Sequence, residues 1–441
     1  MLLSSKAASK SPSECIMAGK SITELLAEKP DLSHYESLYK HFHSHPELSL
    51  QESQTASTIT SHLESLKAGY DLHTSIGGHG LAGVLKNGTG PTVLLRADID
   101  ALPVLEETDL PYASQATMKD VADNVEKPVM HACGHDMHIT CLLAAAEHLG
   151  RIKAAWKGTL IVLFQPNEER AGGAKAMVDD GLYTKIPVPD VVLGQHVMPL
   201  RSGCVGHRTG TVMGAADSFR VTLYGRGGHG SMPHRTIDPV VLAANVVLRL
   251  QNIVSREINP ADMAVVTVGS VQAGQTENII SDHAVLRINT RTTTSAARER
   301  LLAALHRIIN AECEASNSPK KPLIEATSRF PLTVNDEHVA SRLVPSFRTF
   351  FGNKFDSDTP TINGSEDVSI LATSIDRPYN FWFFGGVDPD LWDRAEREGR
   401  LFEDVPANHS AYFAPVVQPT LTVGFEALCV AALTYLKSDD V

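Results

Sequence analysis

The sequence predicts an α/β protein: a mixed, mostly parallel sheet with helices on both faces, plus an inserted α+β unit of antiparallel sheet and two helices. Three observations carry this. Short apolar runs such as 92–97 and 159–164 alternate with longer helical patterns, as strands and crossover helices of a parallel sheet do. Acidic and histidine residues (Asp98, Glu168, Glu169, His196) fall where those runs end, and such sheets build their sites at strand carboxyl ends. After about residue 212 the texture changes to half-exposed alternating strands, and it returns beyond Pro331. At 441 residues, two cores are expected.

Taken in order, residues 20–90 alternate helical patterns with turns at Gly77-Gly78, Gly80, Gly88 and Gly90. The run 92–97, bounded by Pro91 and Asp98, reads as a buried strand. An Ala/Leu-rich helix is expected over 139–149, a strand over 159–164, a helix over 171–180 and a strand over 190–197. A strand at 218–224 then leads into Gly225–Gly230, followed by a helix at 238–254, strands near 264–272 and 279–290, and a helix at 295–315. That order, β-α-β-β-α, suits an antiparallel sheet with its helices on one face. The last part expects a helix at 336–350, another starting about Glu366, a strand at 379–384 and a final helix at 419–436. The expected segments are a disordered 1–20, a catalytic domain in two parts (21–211 and 331–441), and an inserted domain at 212–330.

Hydrophobic content of 43% and charged content of 20% are ordinary for a folded globular chain. With 39 Lys and Arg against 51 Asp and Glu, the net charge is −12, which argues against nucleic-acid or anionic-membrane partners. The six cysteines (15, 133, 141, 204, 313, 429) lack framework spacing and fit a reducing compartment. The Ser- and Lys-rich first twenty residues hold no apolar core of a signal peptide, and no run long enough to span a membrane is expected. The chain reads as cytoplasmic.

The densest chemistry lies in Met130-His131-Ala132-Cys133-Gly134-His135-Asp136-Met137-His138. Thiolate, imidazole and carboxylate are the ligand types of transition-metal sites. Singly, Cys133 and His135 would read as a buried thiol and a loop histidine; clustered, they point to an ion. Glu168-Glu169 follows an uncharged strand, so one carboxylate can bind metal while its neighbour moves protons. The bland alternative is a solvated helix start. His196 ends the run Val191–Gln195, and His409 lies in the polar Pro406–Tyr412 loop; either alone would read as structural.

Five segments in order resemble the M20 metallopeptidases, in particular their amidohydrolase branch of auxin-conjugate hydrolases, hippurate hydrolases and N-acyl amino acid deacylases. They are His45-Pro46-Glu47-Leu48-Ser49, Arg96-Ala97-Asp98-Ile99-Asp100-Ala101-Leu102-Pro103, His131-Ala132-Cys133-Gly134-His135-Asp136, Gln165-Pro166-Asn167-Glu168-Glu169 and Gly228-His229-Gly230-Ser231. The resemblance implies a two-metal site held by Cys133, His135, Glu169, His196 and His409. It makes Glu168 the general base and His229 the oxyanion donor to a partner subunit's site. It places the substrate's carboxylate or carbonyl on Asn278 and Arg291; for Arg291 a solvated strand-end residue is the competing reading. Asp98 and Asp100 would orient a ligand imidazole, and Glu366-Asp367 would cap a helix. The inserted domain would be a lid and dimerisation domain.

This chain departs from the family pattern at Asn167, Arg170 and Val368; Arg170 would favour an acidic substrate group or simply reach solvent. The implied activity is hydrolysis of N-acyl amino acids or amino-acid conjugates by a homodimer carrying two divalent ions, Mn²⁺ or Zn²⁺ first and Co²⁺ or Ni²⁺ next. The alternatives are a dipeptidase or carboxypeptidase of the same family, or a non-catalytic metal-stabilised binding protein.

Overall fold

The computed structural model describes residues 19–437; Cys15 and nearly all of the 1–20 stretch expected to be disordered lie outside the described residues. The chain forms two compact units. One comprises the chain up to Gly210, Asn335–Thr359 and everything from Ile370, and the other comprises Thr211–Val334 with Pro360–Ser369.

The first unit is built on an eight-stranded sheet. Its spatial order is Asp71–Ile76, Gly80–Asn87, Gly158–Gln165, Thr92–Asp98, Val191–Arg201, Tyr379–Val387, Val205–Gly206, Phe355–Asp356. The four strands from Gly158–Gln165 to Tyr379–Val387 run parallel, which makes this the mixed, mostly parallel sheet expected. Residues 71–87 correct the purely helical reading of that stretch, since they form an antiparallel hairpin. Asp71–Ile76 is largely exposed and polar, so it carries no apolar alternation to betray it.

Register explains how the functional residues meet. Asp98 pairs with Gln165 at the ends of adjacent parallel strands, which sets Asp98 and Asp100 beside the turn bearing Glu168 and Glu169. Arg96 pairs with Gly194, so two residues further on Asp98 stands level with His196. His196 therefore does not end its strand, as expected, but lies inside Val191–Arg201. That strand runs past its neighbour because Tyr379–Val387 keeps pairing with it, Phe383 opposite His196.

The helices His135–Arg151 and Val417–Leu436 pack on each other and are buried nearly all round, as interior helices are. Val417–Leu436 corrects the expectation of no membrane-length run: it has 20 residues, and its most apolar window has a mean hydropathy of 1.4. Since 72% of its most apolar window is buried within the protein, its apolarity answers to the core. Helix Pro389–Glu398, which the sequence reading passed over, is capped by Asp388, whose side chain accepts the Asp390 and Leu391 N–H groups. The helix expected from about Glu366 begins at Ser369 and ends at Thr373.

The second unit is a four-stranded antiparallel sheet in the order Ala264–Ala273, His283–Thr292, Ala215–Tyr224, Leu323–Phe330. Leu242, Val246 and Leu250 of helix Pro239–Asn252 and Leu301, Leu305 and Ile309 of helix Ser295–Ala315 close its core on Val221, Leu223 and Leu286. Asp238 and Thr294 cap the two helices by accepting the Val240 and Ala297 N–H groups. Leu323–Phe330 is an edge strand that the reading missed, being largely exposed with Glu325 and Arg329 in it. The expected 279–290 strand divides into Ile279–Ile280 and His283–Thr292.

Candidate metal centre

The loop before helix His135–Arg151 is shaped by Gly134, whose φ of 79° lies in the left-handed region. A Cβ there would stand 2.4 Å from Val197 Cγ1, so glycine is required for conformation and for space. The turn carries Cys133 into the site and starts the helix at His135. Opposite, His409 is itself left-handed at φ 70°, its N–H donating to the Ala132 carbonyl at 2.8 Å. A non-glycine residue held in that region stores strain that its surroundings must offset, a frequent mark of functional positions.

Cys133, His135, Glu168, Glu169, His196 and His409 converge in the first unit. Donor atoms of Cys133, Glu169 and His409 lie within 4.8 Å of one another, as do those of His135, Glu168 and Glu169. Cys133 Sγ is 3.5 Å from His196 Nε2, His135 Nε2 is 3.7 Å from Glu169 Oε1, and His409 Nε2 is 3.4 Å from Glu169 Oε2.

What the second ring nitrogen does sorts the histidines. His135 Nδ1 donates to the Asp100 main-chain carbonyl at 2.8 Å, which leaves Nε2 facing Glu169. His196 Nδ1 donates to the Val197 carbonyl at 2.7 Å and turns Nε2 toward Cys133. His138, which the sequence reading did not single out, joins Asp98, His135 and His196 in a buried cluster. Its Nδ1 donates to Asp98 Oδ1 at 2.5 Å and its Nε2 accepts the Val197 N–H at 2.8 Å. With both nitrogens committed, His138 has no lone pair left for an ion; it braces Asp98 and the His196 strand.

Of the two aspartates expected to orient a ligand imidazole, Asp100 does so at His135 through its main-chain carbonyl, and Asp98 braces other residues. Asp98 holds His138 and Arg96, the latter at 2.7 Å, and neither is an expected ligand. Asp100 lies 3.5 Å from His135 Nδ1 by its carboxylate, but its carbonyl is the nearer acceptor. The carboxylate instead accepts the N–H groups of Glu168 and Glu169, each at 3.1 Å, and the Ser49 hydroxyl at 2.6 Å.

Burial pushes the Cys133 thiol well above its usual range, with Glu169, Glu168 and Asp98 adding to the effect. Burial also drives Glu169 up to about 8; the His135 charge opposes this, and Asp100 and Asp98 reinforce it. At His135 burial disfavours the charged ring, yet Asp98, Asp100 and Glu169 outweigh it and hold the group up to about 10. His196 is pushed well down, by burial first and by His138 next. A pocket this rich in carboxylate and thiol holds its protons until a cation replaces them. His135 Nε2 and Glu169 Oε1 are buried with no hydrogen-bond partner among the described residues, a costly state for polar atoms. Sulfur, imidazole and carboxylate donors around two such orphaned atoms fit a divalent transition metal.

The remaining expected residues lie in the second unit. His229, exposed, pairs with Ile279. Its Nδ1 accepts the Ser231 N–H at 3.1 Å, which leaves Nε2 as the protonated, donating nitrogen. Asn278 is exposed, and its carbonyl accepts the Gly230 N–H at 2.8 Å. Arg291 is half-buried, donating to Asn289 Oδ1, Ser365 Oγ and the Asn363 carbonyl. In the first unit, Arg170 is partly exposed and pairs with Asp120 at 2.6 Å.

Comparison with known proteins agrees with this arrangement. The family model for peptidase family M20/M25/M40 matches residues 94–398. The chain is 36% identical to a hippurate hydrolase of Campylobacter jejuni over 75% of its length and 82% of the relative's. It is 34% identical to an IAA-amino acid hydrolase, ILR1-like 2, of Arabidopsis thaliana over 78% of its own length and 75% of that protein's. The structure of Bacillus subtilis YXEP, titled a dinuclear metal binding peptidase from the M20 family, superposes with a TM-score of 0.69 at 26% identity, covering 91% of this chain and 97% of that one. By that family match the chain belongs to peptidase family M20/M25/M40 and is a metal-dependent hydrolase of C–N amide bonds.

Proposed function

We propose that the chain hydrolyses the amide bond of N-acyl amino acids or amino-acid conjugates, releasing a carboxylic acid and an amine. The observation that carries this reading is the convergence of buried Cys133, His135 and His196 with half-buried Glu169 and exposed His409, with Glu168 beside Glu169. Two divalent ions, Mn²⁺ or Zn²⁺ by preference, would be held by those five side chains and would supply Lewis acidity to the scissile carbonyl and to water. Glu168 accepts the proton of the attacking water and returns it to the departing nitrogen, so the amine leaves neutral. His229, from a second copy of the chain, donates its Nε2–H to the oxygen that gains charge. Arg291 and Asn278 hold the substrate's carboxylate, the guanidinium being suited to both oxygens at once.

A homodimer supports the role given to His229. The exposed edge strand Ala264–Ala273 and the exposed Val240, Val241 and Leu248 of helix Pro239–Asn252 suit a self-association face. Cysteine usage supports a cytoplasmic setting: five described cysteines are free thiols.

The test is release of free amino acid from a panel of N-acyl amino acids and dipeptides, using chelator-stripped enzyme with Mn²⁺, Zn²⁺, Co²⁺ or Ni²⁺ restored singly. Preference for N-acyl substrates is expected, and preference for dipeptides would replace the reading with a dipeptidase. Glu168→Gln should retain its metal and lose about 10²–10⁴-fold in kcat. Undiminished turnover in that variant would remove Glu168 as the base.

A further inference from the structure

The turn bearing Glu168 and Glu169 is gripped through its backbone. Three successive N–H groups meet buried carboxylates: Asn167 donates to Glu52 Oε1 at 2.9 Å, and Glu168 and Glu169 donate to the two oxygens of Asp100 at 3.1 Å. The turn needs holding, because Asn167 (φ 54°) and Ala171 (φ 56°) are both left-handed without being glycine.

Apart from this grip, Glu52 makes one further bond, from the neighbouring Leu50 N–H. It occupies the N-cap position of helix Ser53–Ser65, but its side chain does not cap that helix. Glu47 does so, accepting the Gln54 N–H at 3.1 Å and the Thr55 N–H at 2.8 Å. The Glu52 carboxyl is fully buried; Oε1 accepts Leu50 N–H and Asn167 N–H, while Oε2 has no hydrogen-bond partner among the described residues. A buried carboxyl is costly to keep, and helix capping does not account for this one.

We propose that Glu52 is a positioning residue for hydrolysis. By holding the Asn167 N–H it fixes the backbone from which Glu168 and Glu169 diverge, so that one carboxylate stays on the proton and the other on the ion. This rests on the reading of Glu168 as the base.

The test compares Glu52→Ala, Glu52→Gln and Glu168→Gln in metal-loaded enzyme, measuring kcat, KM, bound metal and thermal midpoint. Glu52→Ala should lose about 10- to 100-fold in kcat while keeping its metal at saturation. Its KM should stay within about threefold, because alignment of the base is lost and substrate binding is not. Glu52→Gln should recover most of that loss, since its amide oxygen can accept the same two N–H groups. A wild-type kcat in Glu52→Ala would overturn the proposal, as would losses in both variants that merely track lost metal or lost folded protein. If Glu168→Gln still turned over, the base reading would fall by itself. If Glu168→Gln were inactive and Glu52→Ala normal, only the positioning role would fall.

Discussion

Imidazoles that look alike in sequence are told apart by their second nitrogens. His135 and His196 spend Nδ1 on carbonyl oxygens and turn Nε2 toward Glu169 and Cys133; His138 spends both. Replacing His135 by Ala should therefore lower bound metal below two ions per chain by elemental analysis, and Cys133→Ala should do the same. His138→Ala should still fill at saturating metal, with affinity weakened about 10- to 100-fold through the loosened supports. Equal metal loss in His138→Ala and His135→Ala would show that the second-nitrogen argument sorts them wrongly.

Helix starts and turns set the precision of the site. Gly134→Ala would force a Cβ into the left-handed region and against Val197, so unfolding in urea should show a loss of about 1–3 kcal/mol or more. The same helix's Asp136 accepts a hydrogen bond from His43 Nδ1–H at 2.7 Å, while His43 Nε2 donates to Glu106 at 3.0 Å. Burial disfavours the charged ring, but the two carboxylates prevail and raise His43 from 6.5 to about 9. A raised folded value means the stabilisation is complete below pH 6.5 and is lost as the pH climbs through about 9. Urea midpoints should thus show the advantage of the native chain over His43→Gln shrinking across that window. A constant difference would mean that His43 is neutral in the fold.

For the whole molecule, the ion acts as a ligand of the native state. Asp98, Asp100, Glu168 and Glu169 crowd one buried region, and five donors could share ions there. Metal at about 100 times its dissociation constant should stabilise the fold by about 2.7 kcal/mol per site. Chelation should lower the thermal midpoint, and titrated metal should restore it in a concentration-dependent way. A midpoint indifferent to both would mean that the cluster holds no ion in solution.

Much of the architecture and the site was legible before any coordinates. Apolar runs at 92–97 and 159–164 stand out because a parallel strand buried on both faces is nearly all apolar, the charge of Arg96 being paired with Asp98. The Cys133–His138 run and the glutamate pair stand out because ligand chemistry restricts residue type. The hairpin at Asp71–Asn87 was illegible because its first strand is polar and largely exposed, and the edge strand Leu323–Phe330 because it is polar and pairs with Ala215–Tyr224, remote in sequence. Only the tertiary structure placed Pro360–Ser369 with the second unit, set His196 level with Asp98, and turned the Asp100 carboxylate from an imidazole to two backbone N–H groups. Sequence by itself determined which chemical groups are present and which segments must be buried, since both follow from side-chain identity. Which group meets which was decided by strand register and by the direction of single hydrogen bonds, and these exist only once the chain has folded.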